Sequence, residues 1–329
     1  MISVEKGYVD APVDESLDLK KEIEKLKKER GAVILAHYYQ RSEIQEIADH
    51  IGDSLALAQL AAKIEAEVIV LCGVNFMAET AKILCPDKVV LCPDLSAGCS
   101  LADSCPADEF AEFVKAHPGY KVISYVNTTA ATKMYTDVVV TSTNARQIVE
   151  SFDKDEKLIF GPDRNLGNYI NSVTGRNMLL WDGACHVHEK FSLEKILALK
   201  KEYPEAQVLA HPECKKPLLM VADKVGSTQA LLNYAINSDC TQFIVATESG
   251  ILHEMKRNCP GKQFIAAPPE DSTCACNECE YMKQNTLAKV YNTLKYMAPQ
   301  VEVDAQVAEK AIVPIKRMLD ISRSLGLIK

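Results

Sequence analysis

At 329 residues, with 47% hydrophobic and 25% charged side chains, the chain has the composition of a folded protein with room for two or three units of roughly 100 to 200 residues. A net charge of −8 argues against a nucleic-acid-binding or anionic-membrane face. Met1–Asp14 shows no basic start followed by an apolar run, and no stretch approaches about 18 uninterrupted apolar residues, so the expectation is a cytoplasmic protein with no membrane span.

A helix is expected over about Glu15–Arg30. Short β-rich runs follow at Ala32–Ala36, Val68–Cys72, Val89–Cys92, Val122–Val126, Val138–Thr141, Leu158–Phe160, Met178–Trp181, Val208–Ala210, Phe243–Ala246 and Phe264–Ala266. Helix-period segments such as Ser54–Ala66, Asn144–Phe152 and Thr228–Ile236 lie between them, and a last helix is expected over about Ala305–Leu325. This alternation reads as βαβ units with buried parallel sheets, an α/β fold.

The chain also repeats itself. Strands end just before His37, Tyr125 and His211, at offsets of 88 and 86 residues. Seventeen residues after each stands a hydroxyl, Ser54, Ser142 and Thr228; thirty-six residues after each stand Gly73, Gly161 and Thr247. Three landmarks in register imply tandem copies of one unit. The expected division is 1–120, with 285–329 packing back onto it, then 121–205 and 206–284. Since ligands of parallel sheets bind beyond the carboxyl ends of strands, three copies around a common axis would turn their reactive edges toward one central site.

Each landmark has a bland and a functional reading. Ser54, Ser142 and Thr228 suit ordinary N-caps, but three converging helix starts would also bind the carboxylates or phosphate of a small polyanion. At the strand tips, His37 and Tyr39, Tyr125 and Asn127, and His211 and Glu213 form i, i+2 pairs that an extended segment places on one side, suiting them to acid/base work. Asp163-Arg164-Asn165 adds a charged group that serves equally as a surface ion pair.

Twelve cysteines in a chain expected in a reducing compartment point to metal or catalysis rather than disulfides. Cys72, Cys240 and Cys92 lie in or beside apolar runs and read as small hydrophobes. Cys99 follows His37 by 62 residues, Cys185 follows Tyr125 by 60, and the Cys274-Ala-Cys276-Asn-Glu-Cys279 cluster begins 63 after His211. One thiolate per copy would hold an iron-sulfur cluster and leave one iron without a protein ligand, the open position that Lewis-acid chemistry requires. Two rivals stay open: half of a zinc site, with Cys185, His186 and His188 as the partner group, and a redox dithiol of Cys276 and Cys279. For function, a hydro-lyase with an open-iron 4Fe-4S cluster acting on a small hydroxy acid, or a cluster-bearing sensor, stand as alternatives to a condensing enzyme.

The ordered motifs Ala36-His37-Tyr38-Tyr39-Gln40, Gly52-Asp53-Ser54-Leu55, Gly73-Val74-Asn75-Phe76-Met77-Ala78-Glu79, Tyr125-Val126-Asn127, Thr141-Ser142-Thr143-Asn144-Ala145, Phe160-Gly161-Pro162-Asp163-Arg164-Asn165-Leu166-Gly167, His211-Pro212-Glu213-Cys214, Val225-Gly226-Ser227-Thr228 and Met282-Lys283 with Asn285-Thr286-Leu287 resemble those of the quinolinate synthase family, from about residue 20 to the C-terminus. The resemblance implies three Rossmann-like αβα domains related by a pseudo-threefold axis around a central active site. It implies a transferase of de novo NAD biosynthesis that condenses iminoaspartate with dihydroxyacetone phosphate to quinolinate, releasing phosphate and two waters. It also implies one 4Fe-4S cluster on Cys99, Cys185 and Cys279, the last chosen because it stands six residues before Asn285. Substrate contacts carried over by motif are His37, Ser54, Tyr125, Asn127, Ser142, His211, Glu213 and Thr228, with Tyr39, Tyr125, His211 and Glu213 in catalytic roles. The partners implied are these small molecules, with a functional link to an iminoaspartate-producing aspartate oxidase or dehydrogenase. The chain departs from a C-x-x-C-x-x-C pattern common in bacterial members, with Thr273 at the first position and Cys274 beside it.

Overall fold

The computed structural model describes residues 3–271 and 277–328. Strands of Val, Ile and Leu unrelieved by polar alternation must be covered on both faces, which favours parallel sheets flanked by helices. Twelve strands form among the described residues: β1 Ala32–His37, β2 His50–Gly52, β3 Val68–Cys72, β4 Val89–Leu91, β5 Lys121–Tyr125, β6 Val138–Val140, β7 Leu158–Gly161, β8 Leu179–Leu180, β9 Gln207–Ala210, β10 Lys224–Val225, β11 Gln242–Ala246 and β12 Gln263–Ala266. They make three four-stranded sheets, β2-β1-β3-β4, β6-β5-β7-β8 and β10-β9-β11-β12, with every pair parallel. The expected α/β fold is present, built three times in one strand order.

That order places the site. In each sheet the chain leaves the first strand to one side and returns on the other, so a crevice opens at the carboxyl end of the first strand, the switch point where ligands of such sheets bind. His37, Tyr125 and His211 stand at these points.

β2 and β10 were not expected, being only three and two residues long and carrying polar side chains. An aspartate introduces the second strand of each sheet. The carboxylates of Asp49, Asp137 and Asp223 accept the N–H of Ile34, Val122 and Val208 at 2.8, 2.8 and 2.7 Å. These aspartates keep the 88 and 86 offsets, a repeat signal that would have revealed both strands.

The N-terminal helix runs Leu19–Arg30, starting later than expected because Asp18 caps it, and the last helix runs Ala305–Ser324. Leu35, Ile69 and Leu71 of the first sheet share one apolar core with Ile123, Val139 and Phe160 of the second and with Ile315 and Met318 of the last helix. The segment after 285 divides its packing. Helix Leu287–Tyr296 lies on the N-terminal helix, whereas Ala305–Ser324 lies against β6 and against helices of the first and second sheets.

Candidate active site

One cavity enclosing about 710 Å³ of empty volume gathers all twelve residues singled out from the sequence: His37, Tyr39, Ser54, Cys99, Tyr125, Asn127, Ser142, Cys185, His211, Glu213, Thr228 and Cys279. Among the described residues, no lysine or arginine lines it.

The hydroxyls are not helix caps. Asp53 caps helix Ser54–Lys63 by accepting Ala56 N–H, and Ser227 caps Thr228–Asn237 by accepting Ala230 N–H. Ser54 and Thr228 therefore stand at the first helical position beside unpaired N–H groups, their side chains released to the cavity. Ser142 lies in the turn preceding Ala145–Glu150, which is shorter than the expected Asn144–Phe152.

The strand tips are not extended either. His37 C=O accepts Gln40 N–H and His211 C=O accepts Cys214 N–H, both at 3.0 Å, so each tip is a turn closed by an i to i+3 bond. The turn brings the i+2 N–H back to the imidazole: Tyr39 N–H donates to His37 Nδ1 at 3.1 Å and Glu213 N–H to His211 Nδ1 at 3.4 Å. A nitrogen that accepts is unprotonated, so each ring carries its proton on Nε2. Burial holds both imidazoles neutral, down at about 3. The 3.5 Å approach of His211 Nδ1 to Glu213 Oε1 is accordingly no ion pair.

Glu213 is the centre of charge. Burial alone would raise its carboxyl, but the neighbouring His188 imidazole and the Tyr125 hydroxyl outweigh this and hold it below the usual carboxylate range. Tyr125 Oη donates to Glu213 Oε1 at 2.6 Å, and His188 Nδ1 lies 3.2 Å from Oε2. His188 Nε2 reaches Thr247 Oγ1 at 3.0 Å, which reaches Tyr39 Oη at 2.8 Å; Tyr39 Oη also meets Thr228 Oγ1 at 2.7 Å. A continuous hydrogen-bonded chain thus joins the two phenols through Thr247, His188 and Glu213. Burial keeps both phenols protonated, well above the usual tyrosine value. Asn127 contributes a buried Oδ1 with no partner.

The three cysteines recur in one local form. Cys99, Cys185 and Cys279 each open a helical turn, their carbonyls accepting the N–H of Asp103, Glu189 and Lys283 four residues on, at 2.9, 3.0 and 3.1 Å. The backbone N–H groups three residues on, of Ala102, His188 and Met282, act to lower each thiol's pKa. Backbone donors at the start of a turn favour thiolate, the form that binds metal. Without metal, burial keeps the thiols protonated, Cys99 up at about 12 and Cys279 at about 11.

Among the described residues, the donors lying within 4.8 Å of one another are those of Cys185, His188 and Glu213. Cys99 and Cys279 stand outside that group. A single tetrahedral zinc with bonds of about 2.3 Å draws its ligand atoms closer together than this. The three thiols therefore suit a polynuclear cluster better than one ion. Cys274 and Cys276, on which the zinc and dithiol rivals rested, lie outside the described residues. Cys72 and Cys92 are buried, as expected of small hydrophobes.

Four residues were missed as site members or misjudged. His188 entered only as part of the zinc rival, and Thr247 only as a landmark. Asp163, expected in a charged surface group, is fully buried; Glu248 was not considered and lines the cavity.

The fold and this site define an α/β enzyme whose acid/base groups and three thiol-bearing turns face one buried cavity. A model of the Quinolinate synthetase A protein family matches residues 21–320, and the chain belongs to that family. It is 56% identical over 306 residues to the quinolinate synthase of Thermosynechococcus vestitus, covering 93% of this chain and 96% of that one. It is 54% identical over 307 residues to that of Chloroherpeton thalassium (93% and 95%) and 53% over 321 residues to that of a Synechococcus species (98% and 99%).

Proposed function

We propose that this chain is a quinolinate synthase, condensing iminoaspartate with dihydroxyacetone phosphate to quinolinate, phosphate and two waters in de novo NAD biosynthesis. The observation that carries the reading is the recurrence of one cysteine turn three times in the cavity that holds the strand-tip acids and bases. Cys99, Cys185 and Cys279 would hold a 4Fe-4S cluster. When bound, the cluster supplies a Lewis-acidic iron that lacks a protein ligand.

The other roles follow from protonation and position. With no lysine or arginine among the described residues of the wall, substrate carboxylates and phosphate fall to the hydroxyls of Ser54, Ser142 and Thr228 and to the free N–H groups of the helices at Ser54 and Thr228. His37 and His211 offer Nε2–H donors, and the Asn127 amide can meet a further polar group. Glu213, ionised, is the base; Tyr39 and Tyr125, protonated, are the acids, and the chain through Thr247 and His188 lets a proton taken at one end be restored at the other. Preorganised donors in a buried cavity suit the charge that develops as phosphate leaves.

The identical strand orders and the constant offsets support three domains, 1–120, 121–205 and 206–284, related by a pseudo-threefold axis. No helix among the described residues is long and apolar enough to cross a membrane. We place the enzyme in the cytoplasm, where an aspartate oxidase or dehydrogenase would supply the unstable imine. The test is anaerobic purification with iron and sulfide analysis, then incubation with dihydroxyacetone phosphate and freshly generated iminoaspartate. Quinolinate should form; none from cluster-replete protein would overturn the reading.

A further inference from the structure

Two buried carboxylates have no part in the chemistry above, and each ends on the backbone of a cluster cysteine. Asp163 Oδ1 caps helix Arg164–Thr174 by accepting Leu166 N–H at 2.8 Å, while its Oδ2 accepts Cys185 N–H at 3.1 Å. Glu248 Oε1 accepts Cys279 N–H at 3.1 Å, and its Oε2 accepts Gly250 N–H at 2.7 Å. Lys283 Nζ lies 2.8 Å from Glu248 Oε1 and also donates to the Tyr39 carbonyl at 2.6 Å. One carboxylate thereby ties the Cys279 turn to the tip that carries Tyr39.

The two positions are related by the repeat. Asp163 stands two residues after Gly161 and Glu248 one after Thr247, both beyond the third strand of a sheet. Beyond the third strand of the first sheet, Gly73 is followed by Val74 and Asn75, so no carboxylate stands there; Asn75 sends its backbone N–H to Ala97 C=O at 2.7 Å. The surroundings admit little else. A Cβ on Gly183 would come within 2.6 Å of Pro162 C=O, and one on Gly250 within 2.8 Å of both Glu248 Oε2 and the Tyr39 backbone. Glycine is needed where each cysteine loop or tip closes on its carboxylate.

We propose that Asp163 and Glu248 are positioning residues that hold the Cys185 and Cys279 turns by their backbone N–H groups, so that two of the three thiols are in place before metal arrives. The inference rests on the ligand set proposed above. Groups in this outer position typically change metal affinity by about 10- to 100-fold.

The test separates cluster retention from folding. Asp163→Ser keeps an N-cap for Leu166 but is too short to hold Cys185 as well. Glu248→Ala is made together with Lys283→Met so that no buried ammonium is stranded. Iron release to a chelator from the anaerobically reconstituted protein should quicken by about 10- to 100-fold in both variants. The electron paramagnetic resonance signal of the reduced cluster should shift, and the metal-free chains should melt near the parent. Iron release at the parental rate, or a metal-free melting temperature that falls together with iron retention, would overturn the proposal. Cys185→Ser serves as the control: if it keeps its iron, the ligand set itself fails, whatever the carboxylate variants do.

Discussion

At the three cysteine turns, Cys99, Cys185 and Cys279 share an i to i+4 backbone bond. At the three strand tips, His37, Tyr125 and His211 share their place in the chain but not their chemistry. Two tips turn an imidazole inward with its proton on Nε2, and the middle one sends a phenol to Glu213. Symmetry persists in the turns proposed to hold the cluster, and lapses at the tips proposed to move protons between two unlike substrates.

The largest effect should come from breaking the symmetric part. Cys185→Ser should lose the cluster's iron and sulfide, its visible absorbance and all quinolinate formation together. Breaking the asymmetric part should leave the cluster intact: Glu213→Gln and Tyr39→Phe should keep parental iron and absorbance while kcat falls by about 10²- to 10⁴-fold, the range for a lost acid or base. A Glu213→Gln variant with near-parental kcat would remove the carboxylate from the proposed role.

A finer pair of substitutions separates cap from contact. Ser227→Ala should cost about 0.5 to 2 kcal/mol in thermal or denaturant unfolding with little change in KM, since Ser227 is the cap. Thr228→Val should raise KM and leave stability nearly unchanged, because its hydroxyl faces the cavity. Swapped outcomes would restore the capping reading of the hydroxyl landmarks.

The smallest effect is on pH dependence. His37 and His211 have folded pKa values near 3. Unfolded histidine takes its proton near pH 6.5. Between those values the unfolded chain binds more protons, so stability of the metal-free protein is complete above about pH 6.5 and declines on acidification toward pH 3. His37→Gln should flatten this decline in melting temperature between pH 6.5 and 5; an unchanged slope would show that the ring is not held neutral.

Much of this was legible in spacing. Landmarks at 88 and 86 residues located the strand ends, and apolar runs such as Val68–Cys72 and Val138–Val140 announced buried parallel strands. β2 and β10 escaped because two or three residues are too few to show a periodicity, although Asp49 and Asp223 marked them. Ser54 and Thr228 were found as landmarks and read as substrate contacts with capping as the bland alternative, since Asp53-Ser54 and Ser227-Thr228 each offer two capping residues in a row and only the backbone decides which one accepts.

The sequence by itself determined the α/β class, the threefold repetition and twelve of the residues that line the cavity. Local apolar periodicity and a constant offset survive divergence, because each copy must bury the same sheet. Only the tertiary structure decided what those residues do to one another: that Glu213 is ionised between His188, His211 and Tyr125, that Thr247 and His188 join the two phenols, and that Asp163 and Glu248 grip the cysteine turns. Those relations depend on burial and on contacts between segments 22 to 208 residues apart, which composition and spacing do not encode.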